Sequence, residues 1–173
     1  MTKNFGKNEE RTSEYLKKFN RKKVLKLLVD SNSPTILDVG ANNGSSLVEF
    51  KKWWPNSKVH CFEPQSECWD ELDDLSNEFT NVHINKFALG NKNDESKEFY
   101  SHDLNTGISG FNKINIESKD SIDLSKLSND SKSLENHKKT INHKRNVQVK
   151  RLDEYIKNDK NINQIEQKKD KNI

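Results

Sequence analysis

The sequence lacks any run near the roughly 18 uninterrupted apolar residues that a membrane-spanning helix needs. Its opening, Met1-Thr2-Lys3-Asn4-Phe5-Gly6-Lys7, has no apolar signal region. A soluble, cytoplasmic protein without a membrane partner is expected. Cysteine is nearly absent: there are 2 in 173 residues. Cys61 sits in an apolar, strand-like run and Cys68 in a helix-like one, which excludes a disulfide framework and suits two reduced core thiols. The five histidines, His60, His83, His102, His137 and His143, make no metal-ligand spacing with these cysteines or with each other, so no metal is assigned. No internal repeat is visible.

Apolar residues are also sparse, at 30% against 33% charged, with a mean hydropathy of −1.08. The length suits one ordinary domain with a small core. The first 111 residues hold 37 of the apolar side chains and the last 62 hold only 15, so the fold should lie in the first two thirds. The net charge of +3 divides in the same way: residues 1–111 carry 15 basic and 17 acidic groups, residues 112–173 carry 15 and 10. In that basic tail both signs are interspersed, Tyr155 is the sole tyrosine, and arginine does not alternate with aromatics. Such a pattern gives little support to a nucleic-acid partner.

Residues 12–29 read as one amphipathic helix, with Tyr15, Leu16, Phe19, Val24, Leu25, Leu27 and Leu28 set among Lys and Arg, closed by Pro34. Thr35-Ile36-Leu37-Asp38-Val39 reads as a buried strand. A helix over 45–54 should bury Leu47, Phe50 and Trp54 and end at Pro55. The alternation then repeats, with a strand over 58–63, a helix over 66–77 with Trp69, Leu72 and Leu75 inward, and a third strand over 82–88. This order implies right-handed crossovers and a parallel sheet of the α/β class with helices on both faces. Residues 97–101 and 146–151 are weaker strand candidates, and 112–146, rich in Asn, Ser, Lys and Asp, read as a mobile or irregular insertion.

The chemistry concentrates in Asp38-Val39-Gly40-Ala41-Asn42-Asn43-Gly44, a strand-end carboxylate followed by a glycine-bounded turn into a helix. Parallel sheets bind ligands beyond the carboxyl ends of their strands. Gly40 permits close backbone approach, and Gly44 lets the helix start pack tightly. Glu63, at the end of the second strand, is placed to accept both hydroxyls of a ribose. The same placement serves NAD and S-adenosylmethionine. A pyrophosphate normally lies on a G-x-G-x-x-G loop, whereas this loop carries Ala41 and Asn42, so a cofactor without phosphates fits better. Asp38 would repel a pyrophosphate and help to hold an ammonium group.

Ile36-Leu37-Asp38-Val39-Gly40-Ala41-Asn42-Asn43-Gly44, Phe62-Glu63-Pro64, Ala88-Leu89-Gly90 and Leu152-Asp153-Glu154-Tyr155 together resemble the FkbM family of S-adenosyl-L-methionine-dependent methyltransferases. The resemblance implies Asp38, Gly40, Asn42 and Gly44 around the methionine portion, Glu63 on the ribose, and Pro64 with Ala88 near the adenine. It implies methyl transfer to a hydroxyl, with a small-molecule or glycan acceptor such as a sugar or secondary metabolite. An acceptor alcohol must shed its proton, and His83 and His102 are candidate bases by residue type alone.

Family members continue past the Leu-Asp-Glu-Tyr segment into a further buried strand. This chain runs instead through Asn161-Ile162-Asn163-Gln164-Ile165 to Ile173. The resemblance therefore implies a Rossmann-like class I methyltransferase sheet, C-terminally incomplete, whose first strand has an open edge for self-association or a partner chain. A truncated enzyme, one piece of a split enzyme and a non-catalytic binding module all fit that expectation. The expected division is an N-terminal helical segment at 1–34, a cofactor-binding domain at 35–157 with the insertion at 112–146, and a polar tail at 158–173.

Overall fold

Thr35–Val39 forms β1, Lys58–Phe62 β2 and Val82–Asn85 β3, in a three-stranded parallel sheet ordered β1-β2-β3. The structure, a computed structural model, describes residues 8–103, 106–118 and 139–158. Ile36 lies opposite Val59, and His60 opposite His83. Parallel neighbours need crossover connections, supplied here by α3 (Ser45–Trp53) and α4 (Trp69–Glu78). Side chains alternate across a strand, so Ile36, Val59, Cys61, Val82 and Ile84 share one face and pack with Leu47 of α3 and Leu72 of α4. Leu47, Val59, Cys61 and Leu72 are fully buried. Each such aliphatic side chain contributes about 1.5–3 kcal/mol.

The opposite face carries His60 and Phe62, covered by Tyr155 of α5 (Leu152–Asn158). The tyrosine ring lies 5.0 Å from Phe62, and its hydroxyl is 2.7 Å from His60 Nδ1. Helices thus lie on both faces of an open sheet, the α/β arrangement expected. A second open sheet, ordered β4-β6-β5, consists of Ala88–Gly90, His143–Arg151 and Asp94–Ser101. In it β4 runs parallel to β6 and β5 antiparallel, around Ala88, Phe99, Val147 and Val149.

Three expectations need correction. The helix over 12–29 is two, α1 (Asn8–Lys18) and α2 (Arg21–Leu28), because Asn20 adopts an extended backbone and its side chain caps Lys23 N. Asparagine is among the best residues for that role. The third strand is divided: β3 stops at Asn85, whose side-chain amide donates to Cys61 O at 3.1 Å, and the chain resumes as β4 in the other sheet. The weak strand candidates are longer than their apolar cores, with β5 starting at Asp94 and β6 at His143, so β6 takes in the end of the expected insertion. Within that insertion residues 119–138 lie outside the described residues, as do 159–173 of the expected tail. No helix among the described residues is long and apolar enough to cross a membrane.

Candidate cofactor cleft

The loop after β1 is folded over the end of β2. Gly40 N and Ala41 N both donate to Phe62 O, at 2.9 and 3.1 Å. The turn needs left-handed backbone at Gly40 (φ 78°), Asn42 (φ 49°) and Gly44 (φ 81°), a region that glycine enters freely and asparagine more readily than most residues. Gly44 is favoured twice over, by its backbone and by its surroundings. A Cβ there would collide with Leu75 Cδ1 and crowd Leu72 Cδ2 at 3.2 Å, so a side chain at the start of α3 would force these leucine methyls of α4 to move. At Gly40 an added Cβ meets nothing within 4 Å; that backbone borders open space.

Glu63 follows β2 and is 2% exposed. Its Oε2 accepts from Asn42 N at 2.9 Å, and its Oε1 accepts from Gln65 N at 2.9 Å and from Gln65 Nε2 at 3.2 Å. Gln65 Nε2 also donates to Thr106 O at 3.1 Å. Lying between two oxygens fixes the amide orientation. It leaves Gln65 Oε1 buried with no hydrogen-bond partner among the described residues. Thr106 begins a short 3-10 turn (Thr106–Ile108), and its hydroxyl donates to Asn42 Oδ1 at 2.8 Å. Cys68 Sγ shares that acceptor at 3.3 Å. Burial pushes the Cys68 thiol up, and pushes the Cys61 thiol to about 12, so both remain protonated at neutral pH.

These elements enclose a cleft of about 270 Å³ between the strand ends of the first sheet and the flank of the second. Gly40, Asn42, Glu63 and Pro64 line one side, with Ala88 and Phe99 opposite, and the Thr106–Phe111 segment contributes a third wall. Arg145 of β6 holds Glu67 bidentately at 2.6 and 2.5 Å, tying the second sheet to the turn that follows β2. Of the residues singled out from the sequence, Gly40, Asn42, Glu63, Pro64 and Ala88 come together here, while Asp38 and Gly44 stand behind the lining. Asp38 Oδ2 is buried without a hydrogen-bond partner among the described residues. Desolvation raises its carboxyl pKa, the Glu63 charge adds to the rise, and Arg21 opposes it.

His83 and His102 do not line the cleft: His83 stacks on His60 at 4.6 Å, and His102 is buried, with its backbone N bonded to Ser109 Oγ. No group of three or more His, Cys, Asp or Glu that could hold a metal exists among the described residues. Gln65 and the Thr106–Phe111 wall escaped sequence reasoning. The only local sign of that wall was the Thr106-Gly107-Ile108-Ser109-Gly110 stretch just after a strand candidate, and Thr106 lies 64 positions from its partner Asn42.

The family model for the FkbM methyltransferase domain matches residues 38–167. The chain belongs to the FkbM methyltransferase family. The matched range spans every cleft-lining residue, so the FkbM domain of this chain contains the glycine loop, the Glu63 strand end and the third wall together. No curated protein matches the chain.

Proposed function

We propose that this FkbM-family chain binds S-adenosyl-L-methionine in the cleft and methylates a hydroxyl of a small-molecule or glycan acceptor, a sugar or a secondary metabolite. The observation that carries the reading is the buried Glu63 carboxylate bordering the same cleft as the Gly40 backbone. Its Oε2 accepts one protein hydrogen bond and retains a lone pair for a ribose hydroxyl. Gly40 offers backbone with open space where a Cβ would stand, which suits the close approach of an amino-acid moiety. Asp38 supplies a buried, unpartnered oxygen behind the loop, which favours an ammonium group near the loop over a phosphate. Pro64 and Ala88 form the apolar rim suited to adenine. We read residues 35–157 as the cofactor-binding domain, after the 1–34 helical segment and before the 158–173 tail.

When bound, S-adenosylmethionine supplies an electrophilic methyl group on a sulfonium, so the protein's work is chiefly alignment and water exclusion. Glu63 and the glycine loop orient the ligand, and the Thr106–Phe111 wall screens that side of the cleft from solvent. The two buried free cysteines suit a reducing, cytoplasmic setting. Calorimetric titration with S-adenosylmethionine and with NAD tests the reading. Tight NAD binding without S-adenosylmethionine binding would overturn it in favour of a nicotinamide enzyme.

A second reading, a binding module or one piece of a split enzyme, draws on β1. The strand lies at the edge of its sheet among the described residues, and Val39 is 60% exposed. An open edge carries unpaired backbone donors and acceptors that another strand can complete. Binding of a second chain without cofactor binding would favour this reading.

A further inference from the structure

Four residues close a ring of hydrogen bonds at the cleft: Asn42 N to Glu63 Oε2, Thr106 Oγ1 to Asn42 Oδ1, Gln65 Nε2 to Thr106 O, and Gln65 Nε2 to Glu63 Oε1. We propose that Thr106 is a positioning residue for the cofactor loop, setting the Asn42 backbone that Glu63 then holds, so that the third wall and the glycine loop order each other. This rests on the S-adenosylmethionine reading for its ligand, but its structural content does not.

The argument starts from the backbone of Asn42, whose φ of 49° puts it in the left-handed region. Asparagine enters that region more readily than most residues but still at a cost, so the bonds around Asn42 help to hold it there. Asn42 is fixed by its N–H on Glu63 and by its side-chain oxygen, which accepts from Thr106 and Cys68. Of those two donors, a thiol is the weaker, so the threonine hydroxyl is the stronger restraint on the side chain. Thr106 also offers its own carbonyl to Gln65, the residue that steadies Glu63 Oε1. One residue therefore touches both partners of the ribose-facing carboxylate. The second sheet anchors the wall independently, through Tyr100 N to Gly110 O at 2.8 Å and Gly110 N to Tyr100 O at 2.9 Å. Removing the hydroxyl thus frees the loop without detaching the wall.

The test compares Thr106→Val, which keeps the shape and loses the hydroxyl, with Thr106→Ser, which keeps the hydroxyl. Thr106→Ala serves as a second deletion should the valine variant not fold. Amide hydrogen exchange on the ligand-free protein is the first readout. In the deletion variant the Asn42 amide should exchange about three- to tenfold faster, the worth of one ordinary hydrogen bond, with Val59 and Cys61 unchanged and Thr106→Ser matching wild type. Calorimetry is the second: S-adenosylmethionine affinity should fall by a similar factor, about three- to tenfold, and be restored by serine. Unchanged Asn42 exchange in the deletion variants overturns the proposal, as does equal acceleration in the serine variant. A wild-type protein that fails to bind S-adenosylmethionine defeats the cofactor reading alone, because exchange at Asn42 still decides the role of Thr106.

Discussion

The Asn42 backbone N–H donates to Glu63 Oε2 at 2.9 Å, joining the loop after β1 to the carboxylate after β2 across 21 positions of sequence. A buried carboxylate needs donors around it, and Glu63 takes them from Asn42 and Gln65, which line the same cleft. The acid that would bind a ribose is therefore also the acceptor that shapes the loop beside it.

Glu63→Ala should weaken S-adenosylmethionine binding by about 1.5–3 kcal/mol, the range for hydrogen bonds to a charged group. It should also lower stability by about 1–3 kcal/mol, because Asn42 N and Gln65 N are left buried without their acceptor. Glu63→Gln should lose affinity with a smaller stability loss, since it keeps one acceptor oxygen. Calorimetry and urea unfolding separate the two effects. Wild-type affinity in the alanine variant would remove Glu63 from the ligand.

The two left-handed glycines should respond differently. Alanine at either costs about 1–2 kcal/mol of backbone strain. At Gly44 the collision with Leu75 adds about 1–3 kcal/mol of overpacking, so Gly44→Ala should be read mainly in a lower urea midpoint. At Gly40 the added methyl meets open space beside the cleft, so Gly40→Ala should keep most stability and lose ligand affinity. Equal midpoints in the two variants would contradict this assignment.

The first sheet was legible because its signals are local. Thr35 to Val39 is a short β-branched and aliphatic run broken only by Asp38 and closed by glycine, and Leu47, Phe50 and Trp54 in one helix and Trp69, Leu72 and Leu75 in the next recur at helical spacing. The second sheet was not, because β5 and β6 are rich in polar and charged residues, and their pairing joins Tyr100 to Lys144 and Phe99 to Arg145. The break at Asn85 was missed because it depends on a side chain bonding to Cys61 O on the neighbouring strand, which no apolar pattern encodes. Within the cleft, glycines and a strand-end acid can be read one residue at a time. The pairing of Thr106 with Asn42 exists only after β5 has carried the chain back to the loop.

Acid should act through two carboxyls whose pKa values are shifted in opposite directions. Arg145 holds the Glu67 carboxyl at about 2, against an ordinary 4.5. A carboxyl lowered on folding stabilises above its unfolded value, so this contribution is complete above 4.5 and disappears as pH falls toward about 2. Asp38 is raised above its ordinary 3.8. Its contribution is therefore complete below that value and is lost as pH rises through the folded pKa. Glu67→Gln should flatten the loss of stability between 4.5 and about 2, modestly, because the Glu67 side chain is 49% exposed and solvent screens the pair. Asp38→Asn should stabilise the protein at neutral pH. Urea midpoints across pH check both; a Glu67→Gln profile parallel to wild type in the acid range would mean that the Arg145 pair carries no stability.

The outer edge of β1 yields the last prediction. A flat edge strand with exposed apolar side chains is a template for another strand. Here Val39 is 60% exposed and only β2 pairs with β1 among the described residues. Two copies can satisfy each other's edges by antiparallel pairing, since the same unpaired groups occur on both and a two-fold axis makes the contact self-complementary. Sedimentation should then show concentration-dependent association. Val39→Lys should suppress it at little cost to the melting temperature, because lysine on an edge opposes strand addition and the position is already exposed; Val39 also borders the cleft, so the association and not ligand affinity is the readout. If association persists in Val39→Lys, the contact lies elsewhere. If the wild-type chain remains monomeric at high concentration, melts cooperatively and methylates a hydroxyl, then β1 needs no second strand from another chain, and the split-enzyme reading falls with the edge that suggested it.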